Sequence, residues 1–171
     1  EQEFDYPLGD QNAYTTYAGE GGVPMGSLAQ KALFSMYFQD LSIMLSDSLG
    51  PETRVMFRRK IKNRLAQIAP FLQMDRDPYV VATDGRLRWM VDAYTYTHRY
   101  PYSEPLKIGS HRINYMRNSV KIVVDAYDGS VDFYVADDTD PMVQVYSKIF
   151  PGVFKPLSEM PKSLQSHVRY P

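Results

Sequence analysis

The chain has 171 residues, 44% hydrophobic and 23% charged, enough for one domain with a core but short for two. Its net charge of −1 provides no global field to recruit nucleic acid or acidic lipid, so no nucleic-acid partner is expected. The lack of cysteine excludes disulfides, thiol chemistry and Cys-type zinc sites, and no stretch reaches the roughly 18 to 20 apolar residues that span a bilayer.

Residues 1–26 are polar, aromatic and dotted with glycine, and read as an extended arm with a short strand at AYTTYA. The opening EQEFDYPLGD has neither the basic region nor the apolar run of a signal peptide. It lacks an initiator methionine, and SHVRYP stops on proline, so the chain is expected to be a piece of a longer polypeptide. Ser27 opens a helix, with Gln30 three residues on completing a capping box. Leu33, Tyr37, Leu41, Met44 and Leu45 recur at helical spacing, which predicts a helix to about Leu49, broken by Gly50-Pro51. A second helix is predicted over 52–69, with Phe57, Ile61, Leu65 and Ile68 as its apolar stripe and Pro70 as its stop. Together they make a helical hairpin over 27–69.

The hydrophobic period then changes from 3.6 to 2. YVVATDGRLRWMVDA and KIVVDAYDGSVDFYVA each carry an Asp-Gly turn between β-rich runs, with matching positions offset by 44 residues. They predict two similar hairpins within a sheet over 79–136, separated by a proline- and tyrosine-rich loop over 98–117. TDPMVQVYSKIF predicts a helix capped by Asp140 with Pro141 in its first turn, and MPKSLQSH a short one after it, so that helices fill 140–171. The expected fold is a single α+β domain: an antiparallel sheet of about four strands with helices on one face.

Two-residue turns would set Val80 opposite Trp89 and Ala82 opposite Leu87 in the first hairpin. In the second they would set Ile122 opposite Val135, Val124 opposite Phe133 and Ala126 opposite Val131. One face is then apolar, with Trp89 as a core anchor. The other collects Arg88, Asp92, Tyr94, Tyr96, Asp125, Asp132 and Tyr134, with Asp125 directly facing Asp132. Like charges so placed destabilise a sheet, which calls for an Arg88–Asp132/Asp125 cluster. These seven residues are the candidate binding face, and Asp92 with Asp125 is the carboxylate pair a glycoside hydrolase would need.

Other chemistry is poorly served. The Asp-x-Asp-Pro stretches at 75–78 and 138–141 have too few oxygen ligands for a calcium loop, and His98, His111 and His167 show no metal-ligand spacing. GGVPMGS lacks the lysine of a phosphate loop, and no Gly-x-Ser-x-Gly elbow occurs. No cofactor or metal is expected. Arg54, Arg58, Arg59, Lys60, Lys62 and Arg64 crowd the second helix, a surface that could meet anionic head groups.

Several phrases resemble one family. EFDYP, YTTYAGEGGVPMGS, RLAQIAPFLQMDRDPYVV, DGRLRWMVDAYTYTHRYPYS, INYMRNSVKIVVDAYDGSVDFYV, FPGVFKPLSEMP and HVRYP cover nearly the whole chain and look like uncharacterised protein family 0182. The resemblance implies a large bacterial membrane protein, with several N-terminal membrane helices before a long extracytoplasmic region that contains this chain. It carries over no catalytic residues. The expected role is a non-catalytic extracytoplasmic interaction or scaffold domain. Its expected partners are the remaining segments of the parent chain, or a second copy through self-association. The alternatives are a module binding cell-envelope glycan or anionic lipid, and a carboxylate-dependent hydrolase.

Overall fold

Gly9, at φ +62°, turns the chain back between β1 (Glu3–Leu8) and β2 (Gln11–Thr15), so an antiparallel hairpin stands where an extended arm was expected. The computed structural model describes residues 3–108 and 111–170. They form two compact units that divide between Phe57 and Arg58, and the fold class is α+β, as expected.

In the first unit, β3 (Val23–Pro24) leads to α1 (Leu28–Phe38), whose N-terminus is the capping box read from Ser27 and Gln30. The helix stops eleven residues before Leu49. Gln39 takes the left-handed conformation at φ +56°, and the hydroxyl of Ser35 donates to the carbonyl of Asp40 at 2.7 Å. A single turn, α2 (Ser42–Leu45), follows. The second helix does not begin at residue 52: β4 (Arg54–Val55) pairs with β3 instead, and Arg58 has φ +58°. The side chain of Arg54 supplies the reason. Its guanidinium donates to the carbonyls of Glu20 and Gly21, both at 2.8 Å, holding this segment extended against the glycine-rich stretch. Gly26 is needed for the same approach, since a Cβ there would lie 2.0 Å from the Pro51 carbonyl oxygen.

The second unit starts with α3 (Ile61–Ile68) and the short β5 (Gln73–Met74). Next comes the first hairpin, β6 (Tyr79–Thr83) and β7 (Arg86–Thr97), in the expected register, with Val80 opposite Trp89 and Ala82 opposite Leu87. Asp84 and Gly85 both have positive φ, the turn whose twist matches the strands. The tyrosine-rich segment is not simply a loop: β8 (Leu106–Ile108) pairs with β9 (His111–Ile113), although residues 109 and 110 lie outside the described ones. Asn114 ties it down, bonding the Tyr100 amide and the carbonyls of Tyr100 and Ser103.

β10 (Tyr115–Asp125) and β11 (Val131–Val135) form the second hairpin with a wider turn than expected. Val124 faces Val131 and Ile122 faces Phe133, a slip of two residues that leaves every side chain on its expected face. Asp125 causes the slip. Its carboxylate accepts the amides of Tyr127 (2.8 Å) and Asp128 (3.1 Å), a side-chain turn that competes with the tighter backbone one. Asp132 therefore faces Val123 and not Asp125.

α4 (Pro141–Ile149) then leads to β12 (Phe154–Pro156), which lies parallel to β11, and α5 (Lys162–Gln165) comes last. The sheet has six strands, ordered β12-β11-β10-β7-β5, with β6 also on β7. Leu65, Ala69 and Leu72 from the α3 region and Val143 from α4 cover the first face, over Val91, Ala93, Val120, Ile122, Val124 and Phe133. Trp89 packs at the margin of this core. Each large side chain fully buried there contributes about 1.5 to 3 kcal/mol.

Asp140 locks α4 to the sheet. Fully buried, it accepts from the hydroxyls of Thr95 (2.5 Å), Ser119 (2.5 Å) and Tyr115 (2.6 Å) and from the Met142 amide (2.9 Å). Burial pushes its pKa up, but these four donors outweigh burial and hold it below the ordinary 3.8. Burial, and after it the same contact with Asp140, push the Tyr115 phenol up to about 12.

Two outcomes follow from these contacts. Gly26→Ala should destabilise the first unit by about 1 to 3 kcal/mol, because backbone must move, read as faster amide exchange in α1 and β4. A depressed carboxyl pKa adds stability above the unfolded value that is lost as pH falls through the folded one. The unfolding free energy from urea titration should therefore decline below about pH 5, and Asp140→Asn should lower it at neutral pH by about 1 to 3 kcal/mol while flattening that decline.

Candidate functional site

The second face of the sheet was expected to be polar and, in this chain by itself, partly bare or used in self-association. It is instead covered by the chain's own C-terminal segment, with Met160 and Leu164 packed on Val81, Met90, Val123 and Tyr134, flanked by Leu157 and Val168. Tyr79 donates its hydroxyl to the His167 carbonyl at 2.9 Å, and the guanidinium of Arg169 lies 4.0 Å from the centre of the Tyr79 ring. The alternation of the residues assigns the faces correctly, but proximity of a remote segment is not a periodic signal.

Each candidate residue now has a place. Asp92 is buried and paired with Lys121 directly across the strands, and Lys121 Nζ also donates to the Arg169 carbonyl at 2.8 Å. Asn118 adds a weak 3.5 Å contact to Asp92. Tyr134 is buried, which pushes its phenol pKa up. Tyr94 and Tyr96 are half-buried on the far half of β7. Asp132 pairs with Lys155 at 2.6 Å, a bond that raises the lysine's pKa.

Arg88 does reach Asp125, at 4.0 Å, but the closer partner is Arg86, at 3.3 Å from Asp125 and 3.5 Å from Asp128. Burial raises the Asp125 pKa, but the amides of Asp128 and Tyr127 and the Arg86 charge outweigh it, so the net direction is down. The expected Arg88–Asp132/Asp125 cluster is thus reduced to Asp125 with two arginines, Asp132 standing apart.

This geometry disfavours the hydrolase reading. Asp92 stands opposite Lys121 and Asp125 opposite Arg88, four residues or about 13 Å along the ladder. Paired glycosidase carboxylates lie about 5 to 9.5 Å apart. Both are also already committed to internal partners. Nor is there a basic helix as expected: Arg54 sits in β4, Arg58 and Arg59 precede α3, and Lys62 on α3 donates to the Arg76 carbonyl at 2.6 Å. Among the described residues no group of three or more His, Cys, Asp or Glu is arranged to hold a metal, and no helix is long and apolar enough to cross a membrane.

Two surfaces went unread. In α1 and α2 the apolar stripe is exposed: Leu33, Tyr37, Leu41, Met44 and Leu45 all face outward, with Met36 80% and Leu45 81% accessible. The helix buries Phe34 and Ser35 instead. Helical spacing was visible, but it does not say which stripe the unit covers. The second is a cleft of about 670 Å³ at the ends of β11 and β12, formed with α4.

Comparison with known proteins places the chain. The model of the Uncharacterised protein family (UPF0182) matches residues 1–171. The chain belongs to that family. It is 56% identical over 170 residues to a UPF0182 protein of Geobacter sp. (strain M21), covering 99% of this chain and 19% of that protein. Against UPF0182 proteins of Nostoc sp. (strain PCC 7120) and Microcystis aeruginosa (strain NIES-843) it is 54% and 53% identical, again over 99% of this chain and 18% of theirs. The chain thus spans under a fifth of the UPF0182 proteins it matches. No solved structure matches it.

Removing one partner of a buried ion pair strands the other. Lys121→Met should cost about 3 to 5 kcal/mol and loosen residues 167–170, whereas Asp92→Leu combined with Lys121→Met should recover much of that loss. Chemical denaturation of Lys121→Met, Asp92→Leu and the double variant checks it; a loss in the double variant equal to the sum of the two single losses would show that the pair is not coupled.

Proposed function

We propose that this chain is a non-catalytic docking module of the longer UPF0182 proteins, and that the apolar surface of α1 and α2 is seated against another segment of the same polypeptide. The exposed stripe of Leu33, Met36, Leu41 and Leu45 carries this reading. Contiguous apolar patches of this kind mark interaction surfaces. The length relation supplies the occupant, since more than four-fifths of each matched relative lies outside the region shared with this chain.

Charge argues against an anionic lipid surface and against pairing of this unit with the same unit of a second copy. Residues 1–57 hold two basic and eight acidic side chains, net −6, whereas 58–171 hold seventeen and twelve, net +5. An acidic unit is repelled by an anionic lipid surface and by a second copy of itself. A segment of the parent chain, neutral or basic at its rim, meets neither objection. The extracytoplasmic setting at the cell membrane rests on the family resemblance, and a periplasmic reporter fused after residue 171 in the full-length protein tests it.

The docking itself is tested by placing a photo-cross-linking residue at Met36 of the full-length protein. Cross-links should form to peptides outside this region. Cross-links to lipid or to a second copy alone would overturn the assignment. Leu33→Asp with Leu45→Asp should change the stability of the isolated chain by no more than about 0.5 kcal/mol, yet reduce accumulation of the full-length protein.

A further inference from the structure

β11 and β12 run parallel, and the chain leaves their ends in opposite directions. From Val135 it passes through Asp140 into α4, whose Val143 belongs to the first-face core. From Pro156 it turns to Leu157 and Met160, which belong to the second-face core. Neighbouring parallel strands whose continuations part to opposite faces leave a crevice beyond their C-terminal ends, the place where open α/β sheets bind ligands. The 670 Å³ cleft lies there, within the roughly 300 to 1,000 Å³ of small-molecule sites.

Its lining defines what it could hold. Val135, Val143, Phe154 and Leu157 supply apolar surface. Gln144, Ser147 and Lys148 share one side of α4 because they are three and four residues apart, and they form the polar wall. The N-terminal amides of α4 are not offered to a phosphate, since the Asp140 carboxylate already caps them. Charge recognition therefore falls to the two lysines. Lys155 is engaged by Asp132, whereas Lys148 makes no ion pair among the described residues. Asp138 precedes the N-terminus of α4, whereas Lys148 lies near its C-terminal end, about 10 Å of helical rise from Pro141, and this gives the cleft a polarity.

We infer that this cleft binds a linear amphiphile with an apolar body and one anionic head, the head held by Lys148. A free medium-chain carboxylate and a monoanionic membrane lipid share that chemistry, and the experiment separates them. Decanoate titrated into the 171-residue chain should give saturable amide shifts at Ser147, Lys148 and Ser158. Lys148→Ala should weaken binding about fivefold, and Ser158→Trp, an exposed position on the cleft wall, should abolish it. Decyltrimethylammonium should not produce the shifts. Vesicles of phosphatidylglycerol should compete with decanoate if the source is a membrane lipid, and should not if it is the free carboxylate. No saturable shift, an equal response to the cationic amphiphile, or full binding by Ser158→Trp would overturn the inference.

Discussion

The pair of Asp92 and Lys121 sets the terms for the second unit. These residues face each other on the two central strands, on a side of the sheet that is covered rather than wet. A strand buried on both faces is ordinarily a continuous apolar run. β7 and β10 are not, so each polar position on the second face needs an internal partner. Lys121 satisfies two such requirements at once, by neutralising Asp92 and by donating to the Arg169 carbonyl. The pair thereby helps hold down the segment that covers it, together with the Tyr79 hydroxyl and the stacked Arg169 guanidinium. A buried ion pair of this kind gains little in stability against apolar residues of the same shape, although removing one partner alone is costly.

Asp140 solves the same problem on the first face with the opposite chemistry. Among the described residues it has no cation partner: three hydroxyls and one amide converge on it from β7, β10 and α4. Neutral donors stabilise the charged carboxylate and depress its pKa despite full burial. Three elements remote in sequence thus depend on one side chain. The first unit has its own fastenings in the Arg54 guanidinium, the Ser27 cap and the Gly26–Pro51 approach. Its aromatic cluster of Phe34, Tyr37, Phe38 and Phe57 still leaves the neighbouring aliphatic stripe outside.

What was legible in the residues was local and periodic. Ser27 with Gln30, Asp140 with Pro141, and Asp84-Gly85 each fix a few backbone angles through chemistry contained in four or five residues. The two-residue period assigned faces correctly in both hairpins, even where the second slipped, because a slip of two preserves parity. The failures have physical causes of the complementary kind. Residues 52–60 have helical spacing, but Arg54 is captured by carbonyls more than thirty positions away. β12 is three residues long and parallel, so its existence depends on a neighbour and not on its own pattern. The cover over the second face, and with it the partners of Asp92 and Tyr134, was likewise a tertiary fact. Of the seven candidate face residues, Asp92, Asp125 and Tyr134 are buried, and Arg88, Tyr94, Tyr96 and Asp132 are partly covered.

That inversion changes where an interaction surface should be sought. A polar residue on a strand gives no sign of burial when its partner lies elsewhere in the chain, so the charged and tyrosine-rich face looked available and was not. An apolar residue on a helix, by contrast, looked like core and is exposed. Uncovered apolar area is a standing free-energy cost of roughly 25 cal/mol per Å², and ion pairs satisfied within the unit leave nothing further to gain from a partner. On the proposed docking, the driving force would reside in the exposed aliphatic stripe of α1 and α2, and the acidity of that unit would narrow what can meet it. On that docking, and at the length of the matched relatives, of which this chain spans under a fifth, a contact that removes that stripe from water would come from within one polypeptide, at the high effective concentration of a tethered segment.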